Sequence, residues 1–136
     1  MLGRSSRIGI AAMAALAEAS LTAAEIARRR RIAPPYLAKI LTALARHGLI
    51  RSARGRGGGY LLARAPERIA LRDVVACFES VERVPHCPLG RSAPCSGKKP
   101  CALHEPFRRV WEARAAFLRE TTLAGFAVAR SKARRR

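Results

Sequence analysis

Apolar residues along this chain recur at helical spacing in some stretches and in short runs in others. Ile8, Ala12, Met13 and Leu16 fall on one face of a predicted helix over Ser5–Ala19. Thr22, followed three residues later by Glu25, forms a capping-box signature that starts a short second helix. Pro34 and Pro35 must stop that helix, and Pro35 can sit in the first turn of a third, "PYLAKILTALARHG", closed by Gly48. There Leu37, Ile40, Leu41 and Leu44 follow the i, i+3, i+4, i+7 rule and face inward. Pro35, Ala38, Lys39, Thr42 and Arg46 therefore face outward.

Two short apolar runs come next, Leu49–Ala53 and Tyr60–Ala63, separated by "RGRGGG" at Arg54–Gly59. They predict a β-hairpin whose flexible tip carries arginines. A fourth amphipathic helix is predicted over Ala70–Ser80, with Val74, Val75 and Phe78 buried and Cys77 a small buried hydrophobe among them. From about Glu105 a long helix, "EPFRRVWEARAAFLRETTLAGF", carries the stripe Phe107, Val110, Trp111, Phe117 and Leu118. The stripe calls for a partner, so this is read as a dimer helix; packing back on its own domain is the alternative.

Helix, tight turn, helix and basic hairpin outline a winged helix-turn-helix. In such a fold the third helix enters the major groove and the wing reaches backbone or minor groove. A protein-binding helical hairpin shares the outline, but needs neither the glycine run nor its arginines. The fold class is thus mainly α with a small β-hairpin wing, plus a long C-terminal dimerisation helix. The expected divisions are a DNA-binding domain over residues 1–82, a cysteine-rich loop over 83–104, the dimer helix over 105–128 and a basic tail over 129–136.

Charge sharpens this picture. Lys and Arg number 27 against 9 acids, a net charge of +18 on 136 residues, and most of the cations are arginine. Self-repulsion of that size favours a polyanionic partner, and guanidinium suits phosphate and guanine, so nucleic acid is expected before a membrane surface. No apolar run approaches the length of a membrane span. A cytoplasmic protein is expected, where paired cysteines serve as ligands or redox groups more often than as disulfides.

The segment "CPLGRSAPCSGKKPCALH" carries the remaining chemistry. Cys87, Cys95, Cys101 and His104 offer four ligands within one Gly- and Pro-rich stretch that discourages helix and strand. An iron–sulfur cluster spreads its metal atoms and suits such wide spacing. Zinc accepts the same ligand types but usually from closer pairs, and is disfavoured. A metal-free thiol switch remains open. An enzyme with a loop cysteine as nucleophile lacks a second catalytic group, since His47 lies at a helix end and His86 beside Cys87.

"YLAKILTALARHGLI" joined to "RGRGGGYLL", together with that cysteine loop, resembles the Rrf2 family of bacterial winged-helix regulators. The likeness covers almost the whole chain apart from the tail. It implies a homodimer with crossing C-terminal helices, sequence-specific binding to a double-stranded DNA operator, and in many members control by a cluster; the two-fold dimer in turn favours a pseudo-palindromic operator. By position, Pro35, Tyr36 and Lys39 open the recognition helix, and Arg54 matches a wing arginine that inserts into the minor groove. With Arg28, Thr42 and Arg56 these complete the expected DNA contacts. Ala38 departs from a glutamate that helps choose operators in the family's iron–sulfur regulator, so the operator sequence does not transfer. The nitric-oxide-sensing members take a carboxylate ligand from the other subunit's first helix. Arg7 stands in its place here, and no acid precedes Glu18. His104 remains as the fourth ligand, as in the two-iron Cys3His cluster of the iron–sulfur regulator. A two-iron cluster is therefore favoured over a four-iron one, although the spacing alone does not decide between them.

Overall fold

The computed structural model describes residues 1–55, 58–82, 98 and 100–126. Three helices come first: α1 (Arg4–Leu16), α2 (Ala23–Arg30) and α3 (Pro34–Arg46). Strands β1 (Ile50–Ala53) and β2 (Gly59–Leu62) pair antiparallel, Ile50 opposite Leu62 and Ala53 opposite Gly59. A 3-10 turn at Pro66–Arg68, α4 (Leu71–Val75) and α5 (His104–Glu120) complete the elements.

The capping box at Thr22 forms as expected. Glu25 N–H donates to Thr22 Oγ1 at 3.2 Å and Thr22 N–H donates to Glu25 Oε2 at 2.7 Å. Both prolines enter the first turn of α3, where a missing N–H costs nothing. Helix α1 stops at Leu16, short of Ala19, because the chain must turn to bring Leu21 beside the hairpin. Leu21 and Tyr60 exchange backbone bonds of 3.1 and 2.8 Å. Gly59 permits that approach: its φ is +127°, and a Cβ there would lie 2.6 Å from the Leu21 carbonyl oxygen.

Helix α4 is shorter than expected. After Val75 the chain tightens into i→i+3 bonds, Cys77 N–H to Val74 O and Phe78 N–H to Val75 O. This tightening brings Glu79 to the first turn of α1, where Gly3 and Ser6 donate to it.

Helix α5 ends at Glu120 rather than running on through Phe126. Residues 121–123 turn extended and pair with the entry to α4: Leu71 N–H donates to Thr121 O at 2.8 Å and Leu123 N–H to Ile69 O at 3.0 Å. The apolar stripe of α5 consequently splits. Leu118, with Leu123 beyond the helix, is fully buried in this chain's own core, so Leu118 is not an interface residue. Phe107 and Trp111 stack with centroids 6.3 Å apart and are half-buried, whereas Val110 and Phe117 are 51% and 53% exposed.

One core serves all these elements. Met13, Ile26, Leu37, Leu41, Leu44, Leu49, Ile69, Val74, Val75 and Leu118 are buried together. Each such side chain contributes about 1.5–3 kcal/mol of transfer free energy. The three-helix head is therefore a rigid mount for whatever its outer face carries.

Candidate nucleic-acid interface and cysteine segment

Helix α3 buries Leu37, Ile40, Leu41 and Leu44, which fixes its rotation and turns Pro35, Ala38, Lys39, Thr42 and Arg46 to solvent. Thr42 Oγ1 donates to the Ala38 carbonyl at 2.8 Å, so its hydroxyl proton is already used and its methyl and lone pairs face outward. Lys39 is exposed beside it. Arg28 is exposed in the last turn of α2. The turn between α2 and α3 is made by Arg31 in the left-handed conformation, φ +53°, with Ile32 N–H bonded to Ala27 O at 2.9 Å. A non-glycine residue there left no signature in the sequence.

Tyr36 is half-buried rather than free. Its hydroxyl lies 2.8 Å from Ser5 Oγ, and the Arg4 guanidinium sits 5.1 Å from its ring centroid. Sequence reasoning missed Arg4 and Ser5 as neighbours of the recognition helix, because no local pattern links residues 31 positions apart.

The wing leaves β1 at Arg54, which is exposed. Gly55 (φ +124°) and Gly58 (φ +30°) shape its tip, Gly58 N–H donating to Gly55 O at 3.1 Å. Arg56 lies outside the described residues. The exposed side chains of α3 and the Arg54 end of the wing thus belong to one head whose core holds both elements in place.

Of the predicted metal ligands, the structure describes two. Cys101 and His104 stand one turn apart at the entrance of α5, the His104 N–H donating to the Cys101 carbonyl at 3.0 Å, and both are half-buried. Cys87 and Cys95, like His86 and the tail over 129–136, lie outside the described residues. Among the described residues no three His, Cys, Asp or Glu side chains gather to hold a metal ion. Beside His104, Glu105 accepts side-chain hydrogen bonds from Arg108 and Arg109, which lower its carboxyl pKa to about 2. The donor set itself, thiolate sulfur with imidazole nitrogen at a helix entrance, suits an iron–sulfur cluster.

Cys77 sits apart from this chemistry. Its thiol donates to the Asp73 carbonyl at 3.3 Å, and burial, reinforced by the Asp73 charge, pushes its pKa up. A thiol so held is a poor nucleophile.

Between the head and α5 lies a partly buried ionic cluster that sequence reasoning did not find. Arg114, 3% exposed, pairs through Nη2 with Glu79 Oε1 and donates from Nε to the Met1 carbonyl at 3.1 Å. Its guanidinium stacks 4.4 Å from the Trp111 ring centroid. Glu79 Oε2 accepts from Gly3 N–H at 2.8 Å and Ser6 Oγ–H at 2.7 Å. Burial acts to raise the Glu79 pKa, but the bonds from Ser6 and Gly3 and the Arg114 charge outweigh it and bring it below the ordinary value. Among the described helices none is long and apolar enough to cross a membrane.

Comparison with known proteins agrees with this architecture. A family model named Rrf2, described as an iron-dependent transcriptional regulator, matches residues 2–128. The HTH-type transcriptional regulator IscR of Cereibacter sphaeroides is 35% identical over 105 residues. That alignment covers 74% of this chain and 66% of the relative, so the chain spans just under two thirds of its length. The structure of CymR, titled the global cysteine regulator of B. subtilis, superposes with a TM-score of 0.78 at 25% identity, covering 95% of this chain and 97% of that one. IscR of T. potens superposes at 0.73 with 24% identity, over 97% of this chain and 88% of that one, a likeness of fold. Matched by that family model over nearly its whole length, the chain belongs to the Rrf2 family of transcriptional regulators.

Proposed function

We propose that this chain is a cytoplasmic, homodimeric transcription regulator that binds double-stranded DNA through α3 and the wing. The observation that carries the reading is the exposed face of α3, with Lys39 and Thr42 outward, mounted on the same core as the Arg54-bearing wing. Arg28, Pro35, Tyr36, Lys39, Thr42, Arg54 and Arg56 make the contacts, and a net charge of +18 supplies the long-range attraction. Arg54 is assigned to the minor groove, where a guanidinium gains from the narrow groove's negative potential. A pseudo-palindromic operator follows from two heads related by a two-fold axis, with half-sites about one helical turn apart. The second copy would cover Val110 and Phe117 on α5.

Within the same proposal Cys87, Cys95, Cys101 and His104 hold an iron–sulfur cluster, with the two-iron form preferred because imidazole supplies the fourth ligand. Bound there, the cluster would supply sensitivity to oxidants and to cluster supply. The chain's own part is to tie the segment before α5 to the start of that helix. Coupling to the DNA-reading head then needs a differential of only about 1–3 kcal/mol between two states.

Protein purified without oxygen tests both halves. It should absorb in the visible region and carry iron and sulfide. Its affinity for a duplex selected from random sequence should fall steeply with salt as counterions are released. Arg54→Ala should weaken that complex strongly. Stoichiometric zinc without iron would reject the cluster, and a salt-insensitive complex would reject the DNA interface. A second reading keeps the DNA binding and replaces the cluster by thiol chemistry at Cys87, Cys95 and Cys101. It is favoured by the fold's likeness to a protein titled a cysteine regulator. Colourless protein whose affinity changes with thiol oxidation would select it.

A further inference from the structure

Tyr36 stands in the first turn of the reading helix, yet its hydroxyl is held from behind by Ser5 Oγ at 2.8 Å. The next residue in α1, Ser6, is fully buried and donates to Glu79 Oε2 at 2.7 Å. Neighbouring helical residues point in different directions, so one turn of α1 grips α3 with Ser5 and Glu79 with Ser6. Gly3 N–H adds a second bond to the same carboxylate oxygen, at 2.8 Å. Glu79 is itself clamped by the buried Arg114 of α5. Glu79 precedes the cysteine segment in the chain and Arg114 follows it.

We propose that Ser5, Ser6 and Glu79 are positioning residues for DNA binding: the first turn of α1, clamped by the Glu79–Arg114 pair, sets the placement of Tyr36. The proposal rests on the DNA-binding reading above. Its physical basis is the narrow length range of a hydrogen bond, about 2.5–3.0 Å between the hydroxyl and carboxylate oxygens involved. If the Glu79 carboxylate shifts, Ser6 and the turn that carries it shift with it, and the Ser5–Tyr36 contact moves too. Movement of either flank of the cysteine segment thereby reaches the reading helix without passing through the wing. Arg4, whose guanidinium lies against the Tyr36 ring, travels with the same turn.

A double-mutant cycle on the full chain tests this, using fluorescence anisotropy with a duplex selected from random sequence. Ser6→Ala should weaken DNA binding about fivefold, the worth of one ordinary hydrogen bond. In a Tyr36→Phe background, where the hydroxyl that Ser5 holds is gone, the same change should cost less than twofold. The shift in melting temperature caused by Ser6→Ala should be equal in both backgrounds, which separates positioning from plain stability. Ser5→Ala should behave like Tyr36→Phe, and the two together should cost no more than either alone. Additive losses of affinity for Ser6→Ala and Tyr36→Phe would overturn the proposal. A wild-type chain that binds no duplex DNA would overturn the reading beneath it, an outcome visible before any variant is made.

Discussion

Helices α3 and α5 both carry apolar residues at helical spacing, but they spend them differently. In α3, Leu37, Ile40, Leu41 and Leu44 are all 3% exposed or less, and its opposite face carries Lys39, Thr42 and Arg46 among small residues and prolines. In α5 the inward side is Phe107, Trp111, Arg114 and Leu118, while Val110 and Phe117 point away and stay more than half exposed. One helix is satisfied by its own chain. The other has one face built into the core and a second that the described residues leave exposed. Spacing alone cannot separate these cases, because a periodic stripe states that a surface will be covered and not by what.

Leu118→Ala gives the largest expected effect on the fold. It removes a fully buried side chain that ties α5 to the head, and should lower unfolding free energy by about 2–5 kcal/mol in urea titration. A loss below about 1 kcal/mol would mean that α5 is not part of this core.

Acid should act next, through the buried cluster that joins the same two regions. The folded-state pKa of Glu79 is lowered, so its stabilising contribution is complete above the unfolded value of about 4.3 and lost as pH falls through the folded one. Below that point Arg114 keeps a buried charge without its counter-ion. Thermal melts from pH 6 down to pH 2 should show a decline that is smaller in Glu79→Gln, which has no carboxylate to titrate. Equal declines in both proteins would remove Glu79 from the account.

Thr22→Ala should cost about 1 kcal/mol, the usual value of an N-cap, since the Glu25 N–H loses its acceptor. It tests the self-contained region, and its effect should be the same at any protein concentration.

Phe117→Asp should have the smallest effect on the protomer, within about 0.5 kcal/mol for a solvent-facing position. Sedimentation should nevertheless shift from dimer to monomer while the helical circular dichroism persists. A dimer of unchanged mass would place the two-fold contact elsewhere on the chain.

Much of the head was legible from local pattern. The Thr22 capping box, Pro35 in the first turn of α3, the four inward residues of that helix and the arginine-bearing hairpin all form where spacing and backbone chemistry require them, although α3 begins one residue earlier, at Pro34. These features depend on neighbours three or four positions away, or on the φ restrictions of Pro and Gly, and no distant contact competes with them. The same holds for the gathering of Cys87, Cys95, Cys101 and His104 in one Gly- and Pro-rich stretch, which is a property of the sequence itself.

Other features depended on the tertiary structure. Helix α5 stops at Glu120 because residues 121–123 find backbone partners at 69–71, some fifty positions earlier in the chain. Helix α4 gives way after Val75 where Glu79 reaches Gly3, Ser6 and Arg114. Arg114 reads in sequence as one more arginine bordering the apolar stripe of a helix, yet among the described residues it is the buried cation. Tyr36 reads in sequence only as an expected DNA contact at the start of the recognition helix, yet its hydroxyl meets Ser5. Each of these outcomes is set by a polar group meeting a partner tens of residues away. Burial strengthens such a meeting and penalises its absence, and local spacing carries no record of it.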